Sequence, residues 1–317
     1  MMRFISAAEM QELLSPRAAG LAIEVALRAG IDPSDDAARM VIPVPSGQLL
    51  VMPAATVAGV GGKIITVAPD NPAAGRPRVQ GLYVLFAADG LGVRAVLDGA
   101  ALTTLRTPAV SAAFVGLVRE RFVEAPRVVI FGAGPQALAH VTAVEALGLG
   151  SGSFTIVARR PAEVVLPDVE GRISVVLATD QHAPSALAHA DLVICATTAR
   201  TPLFDSAALK SSATVVAIGS HEVDVRELDS ALMTRATVVV EDVDTALREA
   251  GDVFIAIHER ALDASALVGL AELATGRVTV PADRPVVFKS VGMAWEDLVV
   301  AVAVAAAAEG EAEPVSS

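Results

Sequence analysis

Apolar and polar positions follow two different patterns along the chain. From Ser6 to Ala29 the apolar residues recur at helical spacing. Ser6 is a candidate N-cap, Glu9 the second half of a capping box, and Gly30 the stop. From Arg39 the spacing changes to short runs: Met40–Val44, Leu49–Met52, Val57–Val60, Lys63–Val67 and Gly81–Phe86. Turn residues separate them, notably those around Pro45–Gly47 and Asp70–Gly75, which predicts a mostly antiparallel sheet. Ala95–Ala100 then leads into a helix running from about Ala101 through Val118.

After Pro126 the alternation becomes regular. Strand runs at Val128–Phe131, Ser153–Val157, Ile173–Leu177, Leu192–Ala196, Thr214–Ile218 and Thr237–Val240 are interleaved with helical segments. Those segments include Gln136–Leu147, Pro184–Ala190 and Asp229–Thr234. Strands that are apolar throughout and separated by helices predict a parallel sheet covered on both faces. Right-handed crossovers make it doubly wound, with a ligand beyond the carboxyl ends of its strands. The fold class is therefore α/β: a Rossmann-type doubly wound parallel sheet plus a mixed, largely antiparallel domain. Glu241–Asp244 reads as the start of a helix, Val286–Asp297 as the lead-in to the apolar Leu298–Ala308 helix, and Glu309–Ser317 as a disordered end.

Size and composition narrow the function. A chain of 317 residues holds one large or two medium domains, and 53% hydrophobic with 3% aromatic residues predicts a core of Ala, Val and Leu. A net charge of −12 argues against a nucleic-acid partner, which would need a basic footprint. The one cysteine, Cys195, excludes an intrachain disulfide and suits a reducing cytoplasm; its apolar surroundings read as buried filler. No signal-peptide pattern is visible, and Leu298–Ala308 is too short to span a bilayer, so no membrane partner is expected. The histidines show no metal-ligand spacing.

The stretch with the clearest chemistry is Arg127–Ala137, where a strand runs into Gly132-Ala-Gly134-Pro135-Gln136-Ala137 and then a helix. Gly132 permits the sharp turn, Gly134 lets the backbone approach a diphosphate, and Ala137 keeps the helix near the sheet. In such folds a carboxylate ending the second strand takes the adenosine ribose 2′-hydroxyl. Here that strand ends in Arg159-Arg160, so a 2′-phosphate fits better and NADP(H) is favoured over NAD(H). Three cations, Arg39, Lys63 and Arg106, stand in a first region otherwise poor in them. Read singly, each fits an ordinary surface charge. With Thr104 or Thr107 capping a following helix, however, Arg106 and free N–H groups would make a carboxylate site.

The chain resembles the ornithine cyclodeaminase/mu-crystallin family over nearly its whole length. The likeness is carried by Arg39…Leu50–Pro53, Gly62-Lys63, Pro69–Gly75, Leu97–Gly99, Leu102–Thr107, Phe131–Gln136, Arg226–Asp229 and Phe288–Gly292. It implies a substrate-binding and dimerisation domain over 1–114, to which 293–317 returns, and a dinucleotide domain over 115–292. It also implies a homodimer. Arg39, Lys63 and Arg106 match positions that hold a substrate carboxylate and the neighbouring nitrogen, with Lys63 catalytic. The matching cofactor set is Thr107, Gly132, Gly134, Pro135, Gln136, Ala137, Arg159, Arg160, Ala196, Thr197, Thr198, Gly219, Lys289, Ser290 and Gly292. True cyclodeaminases carry Asp in a Gly-x-Asp-x-Pro-Gly-x-x-Glu-Leu segment. Counting back from Glu227-Leu228 puts His221 there, a poor partner for a second ammonium and a fair proton donor. The resemblance thus implies an NAD(P)H-dependent reductase of cyclic imino acids. The alternatives are ornithine cyclodeaminase, an alanine-dehydrogenase-like enzyme, and a non-catalytic NADP(H) or small-ligand binder.

Overall fold

In the computed structural model, which describes residues 3–122, 124–149, 152–169 and 172–310, Ser15 and Pro16 divide the first helix in two. The pieces are α1 (Ala7–Leu13) and α2 (Pro16–Arg28). Proline holds the residue before it extended and cannot continue a helical hydrogen-bond ladder. Ser15, at φ −69° and ψ 155°, instead accepts from the Ala18 N–H and starts a new helix. Ser6 caps α1 by accepting from the Glu9 N–H. The Glu9 carboxylate turns to Arg3 at 2.5 Å, so the expected capping box is half made.

The described residues group into two compact units, one up to Val110 and again from Met293, the other Ser111–Gly292. The first unit holds a six-stranded sheet of β1 (Arg3–Ile5), β2 (Met40–Val44), β3 (Gly47–Thr56), β4 (Gly59–Val67), β5 (Val79–Phe86) and β6 (Val93–Asp98). Their order is β1-β6-β5-β4-β3-β2, antiparallel except that β1 runs alongside β6. The two runs expected around Gly61-Gly62 are the single strand β4. The Tyr83 ring on β5 lies across Gly61, where a Cβ would collide with the phenol. Gly61, Lys63 and Ile65 point inward, whereas Ile64 and Thr66 point out.

Helix α3 (Gly99–Leu117) starts on Asp98, which accepts from the Ala101 N–H at 2.8 Å, and continues through Pro108. The cap expected at Thr104 or Thr107 does not form. The Thr104 hydroxyl donates to the Ala100 carbonyl, and Arg106 lies within the helix rather than at its start. By length and composition α3 could cross a membrane, but most of it is buried inside the protein.

In the second unit every strand pairing is parallel. The strands are β7 (Arg127–Phe131), β8 (Ser153–Ala158), β9 (Arg172–Leu177), β10 (Leu192–Cys195), β11 (Thr214–Ala217), β12 (Thr237–Val240), β13 (Val268–Gly269) and β14 (Val286–Lys289). Their order, β13-β12-β14-β11-β10-β7-β8-β9, reverses between β7 and β10, the switch point of a doubly wound sheet. Two helices pack near that point, α4 (Pro135–Ala146) and α5 (His182–His189). The others are α6 (Ser230–Arg235), α7 (Val243–Glu249), α8 (Gly251–His258) and α9 (Leu270–Ala274). Val286–Lys289, read as a lead-in to the last helix, is instead a fully buried strand inserted between β11 and β12. Its four residues carry no alternation that would mark a strand.

The last helix, α10 (Ala294–Ala308), belongs to the first unit, where it packs on α2, β3 and β4. Glu309, expected in a disordered end, caps α10 and pairs with Arg94 at 2.6 Å; 311–317 lie outside the described residues.

Candidate functional site

Lys63 is 1% exposed on the inward face of β4, where an ammonium cannot stay charged without a counter-ion. The counter-ion comes from the first turn of α10. Asp297 Oδ2 lies 2.7 Å from Lys63 Nζ, and Asp297 Oδ1 lies 3.2 Å from Arg106 Nε. The neighbouring Glu296 places Oε2 2.7 Å from a terminal nitrogen of Arg106. Both carboxylates are fully buried. The partial positive charge of a helix N-terminus favours them there. Asp36 completes that end, accepting from the Ala294 and Trp295 N–H groups at 2.7 and 3.1 Å.

Of the three predicted cations, Lys63 and Arg106 therefore share one carboxylate, and Arg39 is close enough to act electrostatically on Lys63. Burial pushes the Lys63 ammonium down to about 8. Asp297 opposes that shift, and Arg106 and Arg39 add to it. Tyr83, paired directly across from Lys63, is fully buried; burial and the nearby Asp297 and Asp36 hold its hydroxyl protonated far above neutral pH. The helix N-terminus at this cluster belongs to α10, and not to a helix following Arg106 as the sequence suggested.

In the second unit the glycine turn has the form its spacing predicts. Gly132 has φ +115°, and a Cβ there would run into the Ala196 carbonyl at the end of β10. Ala137 is fully buried. Gly134 is the N-cap of α4 and, as glycine, offers no capping side chain; a Cβ on it would meet nothing within 4 Å. Pro135 follows at the first helical position, and Gln136 is half-buried. An open space at the amino end of a helix suits the diphosphate of a dinucleotide. Arg159 and Arg160 are exposed after β8, where Arg160 pairs with Glu163 at 2.9 Å.

Other predicted cofactor residues are tied down by buried acids that sequence reasoning missed. Glu227 accepts from the Thr197 N–H and hydroxyl and from the Gly219 N–H, at 2.9, 2.7 and 2.8 Å. Burial pushes its carboxyl up, and Lys289 opposes this. Lys289, expected along the cofactor, points its ammonium inward, 3.2 Å from Asp252 and 2.6 Å from the Ser220 carbonyl. The Ser290 hydroxyl and the Val291 and Gly292 N–H groups all donate to Glu241. Glu241, expected to begin a helix, is thus a buried anchor, while Asp242 caps α7. Ala196 is half-buried, Thr198 is exposed, and Thr107 is buried on α3 in the first unit. His221 is half-buried in the second unit; the adjacent Glu222 and Asp224 face Arg200 at 3.6 and 2.6 Å. Cys195 is buried, with its thiol pushed up by burial.

A doubly wound sheet with an open glycine turn, in one chain with a buried cluster of cations and carboxylates, defines a dinucleotide-dependent class of enzyme acting on small charged substrates. The chain belongs to the ornithine cyclodeaminase/mu-crystallin family, whose model matches residues 1–312. It is 33% identical over 248 residues to the Delta(1)-pyrroline-2-carboxylate reductase of Paracoccus denitrificans, covering 77% of this chain and 78% of that protein. It is 32% identical over 271 residues to the ketimine reductase mu-crystallin of Rattus norvegicus, covering 83% and 82%. The Delta(1)-pyrroline-2-carboxylate reductase of Thermococcus litoralis, solved in complex with NADH and L-proline, superposes with a TM-score of 0.84. It is 23% identical and 100% of each chain is covered, so this likeness speaks for the fold.

Replacing Glu227 by Gln puts an amide donor against one of the three donors it now satisfies. The expected cost is about 1–3 kcal/mol in urea denaturation, with weaker dinucleotide binding by calorimetry.

Proposed function

We propose that the protein is a nicotinamide-dependent reductase of cyclic imino acids of the delta-1-pyrroline-2-carboxylate or ketimine type. The observation that carries this reading is the buried Lys63–Arg106 pair with the half-buried Arg39 acting on it, in a chain at least 32% identical to proteins named as reductases of such imines. When bound, the dinucleotide supplies a hydride. Gly132, Gly134, Pro135, Gln136 and Ala137 would hold its diphosphate against α4, and Ala196, Thr197, Thr198, Gly219 and Ser290–Gly292 would line its ribose and nicotinamide. Arg39 and Arg106 bind the substrate carboxylate. Lys63 keeps a proton at the ring nitrogen, so the C=N carbon stays electrophilic, and leaves that proton on the amine product.

A group that titrates near 8 is protonated at neutral pH and still able to give up its proton. The rate kcat/KM should therefore fall above about pH 8, as Lys63 deprotonates. Lys63→Met should lower kcat/KM by about 10²–10⁴-fold with dinucleotide affinity nearly unchanged. Dinucleotide oxidation with delta-1-pyrroline-2-carboxylate checks both. Ammonia release from ornithine without net cofactor turnover would instead favour a cyclodeaminase, and no turnover of any imine a binding protein. His221 supports the reductase over the cyclodeaminase, since the adjacent carboxylates are engaged by Arg200.

NADP(H) is the favoured cofactor on this reading. Arg159 is exposed where β8 ends without an acid, and Arg160 is held by Glu163. Arg159→Ala should weaken NADPH about tenfold and leave NADH nearly unchanged in fluorescence titrations, a loss of the order of one charge-assisted hydrogen bond.

The protein also acts as a homodimer on this reading. Met40, Ile42 and Val44 on β2, Ile64 on β4 and Leu82 on β5 are 41–56% exposed. Ile64 pairs with both Val51 and Leu82, and Met40 with Val51, so these residues share one apolar sheet face. Ile64→Glu combined with Leu82→Glu should convert the dimer to monomer in light scattering.

A further inference from the structure

Asp297 does more than neutralise one cation. Its two oxygens are divided between side chains from separate elements, Lys63 of β4 through Oδ2 and Arg106 of α3 through Oδ1, and all three groups are buried. Asp36 bonds the N–H groups of Ala294 and Trp295, which holds the turn carrying Asp297 in place. Glu296, on the same turn, is directed to Arg106. We propose that Asp297 is the positioning residue of the substrate site, a single carboxylate that fixes the Lys63 ammonium against the Arg106 guanidinium. This rests on the reading that these two cations hold an imino acid.

The groups facing Lys63 make the role specific. Asp297 reaches it from α10, Arg106 and Thr103 from α3, Arg39 from the segment before β2, and Tyr83 from β5. Among these, Asp297 is the carboxylate, Arg106 and Arg39 are like charges, and Thr103 and Tyr83 are neutral. Burial and the two guanidinium groups all favour losing the Lys63 proton, and Asp297 favours keeping it. Without Asp297 the ammonium would have the neutral Thr103 hydroxyl against two guanidinium groups, and Arg106 would keep Glu296 but lose the carboxylate it shares with Lys63.

The test is Asp297→Asn, which keeps shape and removes charge. In ¹⁵N-lysine NMR, with the Lys63 signal assigned from Lys63→Arg, the wild-type midpoint should lie near 8. The variant's midpoint should fall by about one pH unit or more. The alkaline limb of kcat/KM should move the same way. Because a one-unit fall takes the protonated share of Lys63 at pH 8 from about one half to about one tenth, activity there should drop about fivefold. Glu296→Gln should raise KM for the imino acid and leave that limb in place. If the Lys63 midpoint and the limb stay put in Asp297→Asn while activity falls only in step with thermal stability, Asp297 is structural and the proposal is overturned. The NMR titration needs no substrate, so it is read independently of whether any imine is reduced. Should Asp297→Asn fail to fold, Lys63→Met/Asp297→Asn removes both charges. A folded double variant supports the proposal, and an unfolded one overturns it.

Discussion

An ammonium with almost no access to water is the constraint around which the first unit is arranged. Isolated burial of such a charge costs several kcal/mol even after relaxation, and a lysine in that position would otherwise give up its proton. Lys63 keeps it because α10 presents Asp297 at hydrogen-bond distance, and α10 can do so only by packing back on β3 and β4 after the whole second unit has been made. The return of the last helix is therefore an electrostatic requirement as well as a packing one. Its amino end suits the task, since free N–H groups there favour the acids and Asp36 satisfies two of them from a distant loop.

The second unit uses buried carboxylates differently. Loops at the carboxyl ends of parallel strands leave backbone N–H groups unpaired, and those after β10, β11 and β14 are each bonded by an acid from elsewhere in the unit. Glu227 ties the loop after β10 to that after β11, and Glu241 holds Ser290–Gly292. At the amino end of α4 the capping position is instead a glycine, Gly134, with no side chain to fill the space over it. Loops tied this way give a rigid rim beside a helix amino end that is open at Gly134, an arrangement that favours preorganised binding of an anion.

How much of this could be read beforehand follows from how local each signal is. The glycine turn was legible because strand, Gly132, Gly134, Ala137 and helix are contiguous, and each residue type has one steric reason to be there. The parallel class followed from apolar runs spaced by helices. Lys63, Arg39 and Arg106 stood out as cations among apolar runs, whereas the acids that hold them did not. Glu296 and Asp297 look like the acidic first turn of any surface helix; the clue was that Leu298–Ala308 is apolar on every side, so the whole helix and its opening charges had to be buried. The helix expected from about Ala101 through Val118 is α3, which runs on through Pro108, buried on both sides of the proline, where tertiary packing overrides the local preference. The place of β14 between β11 and β12 depends on which distant strands pair, and Val286–Lys289 carries no trace of that.

The charge count of the cluster bears on what it can bind. Arg39, Lys63 and Arg106 are matched by Asp36, Glu296 and Asp297, so the site is close to neutral before a substrate arrives. Bringing a lone carboxylate into such a place adds an uncompensated buried charge. A protonated cyclic imine carries its positive nitrogen beside its carboxylate and enters as a zwitterion, leaving the balance as it was. The same arithmetic disfavours 2-oxo acids, which have the carboxylate and the electrophilic carbon but no cation. It also makes the substrate nitrogen's own proton part of recognition, since deprotonating either that nitrogen or Lys63 leaves the site one negative charge in excess. Recognition and electrophile activation then depend on the same proton, and a cluster already balanced by its own carboxylates selects for it more strictly than three bare cations would.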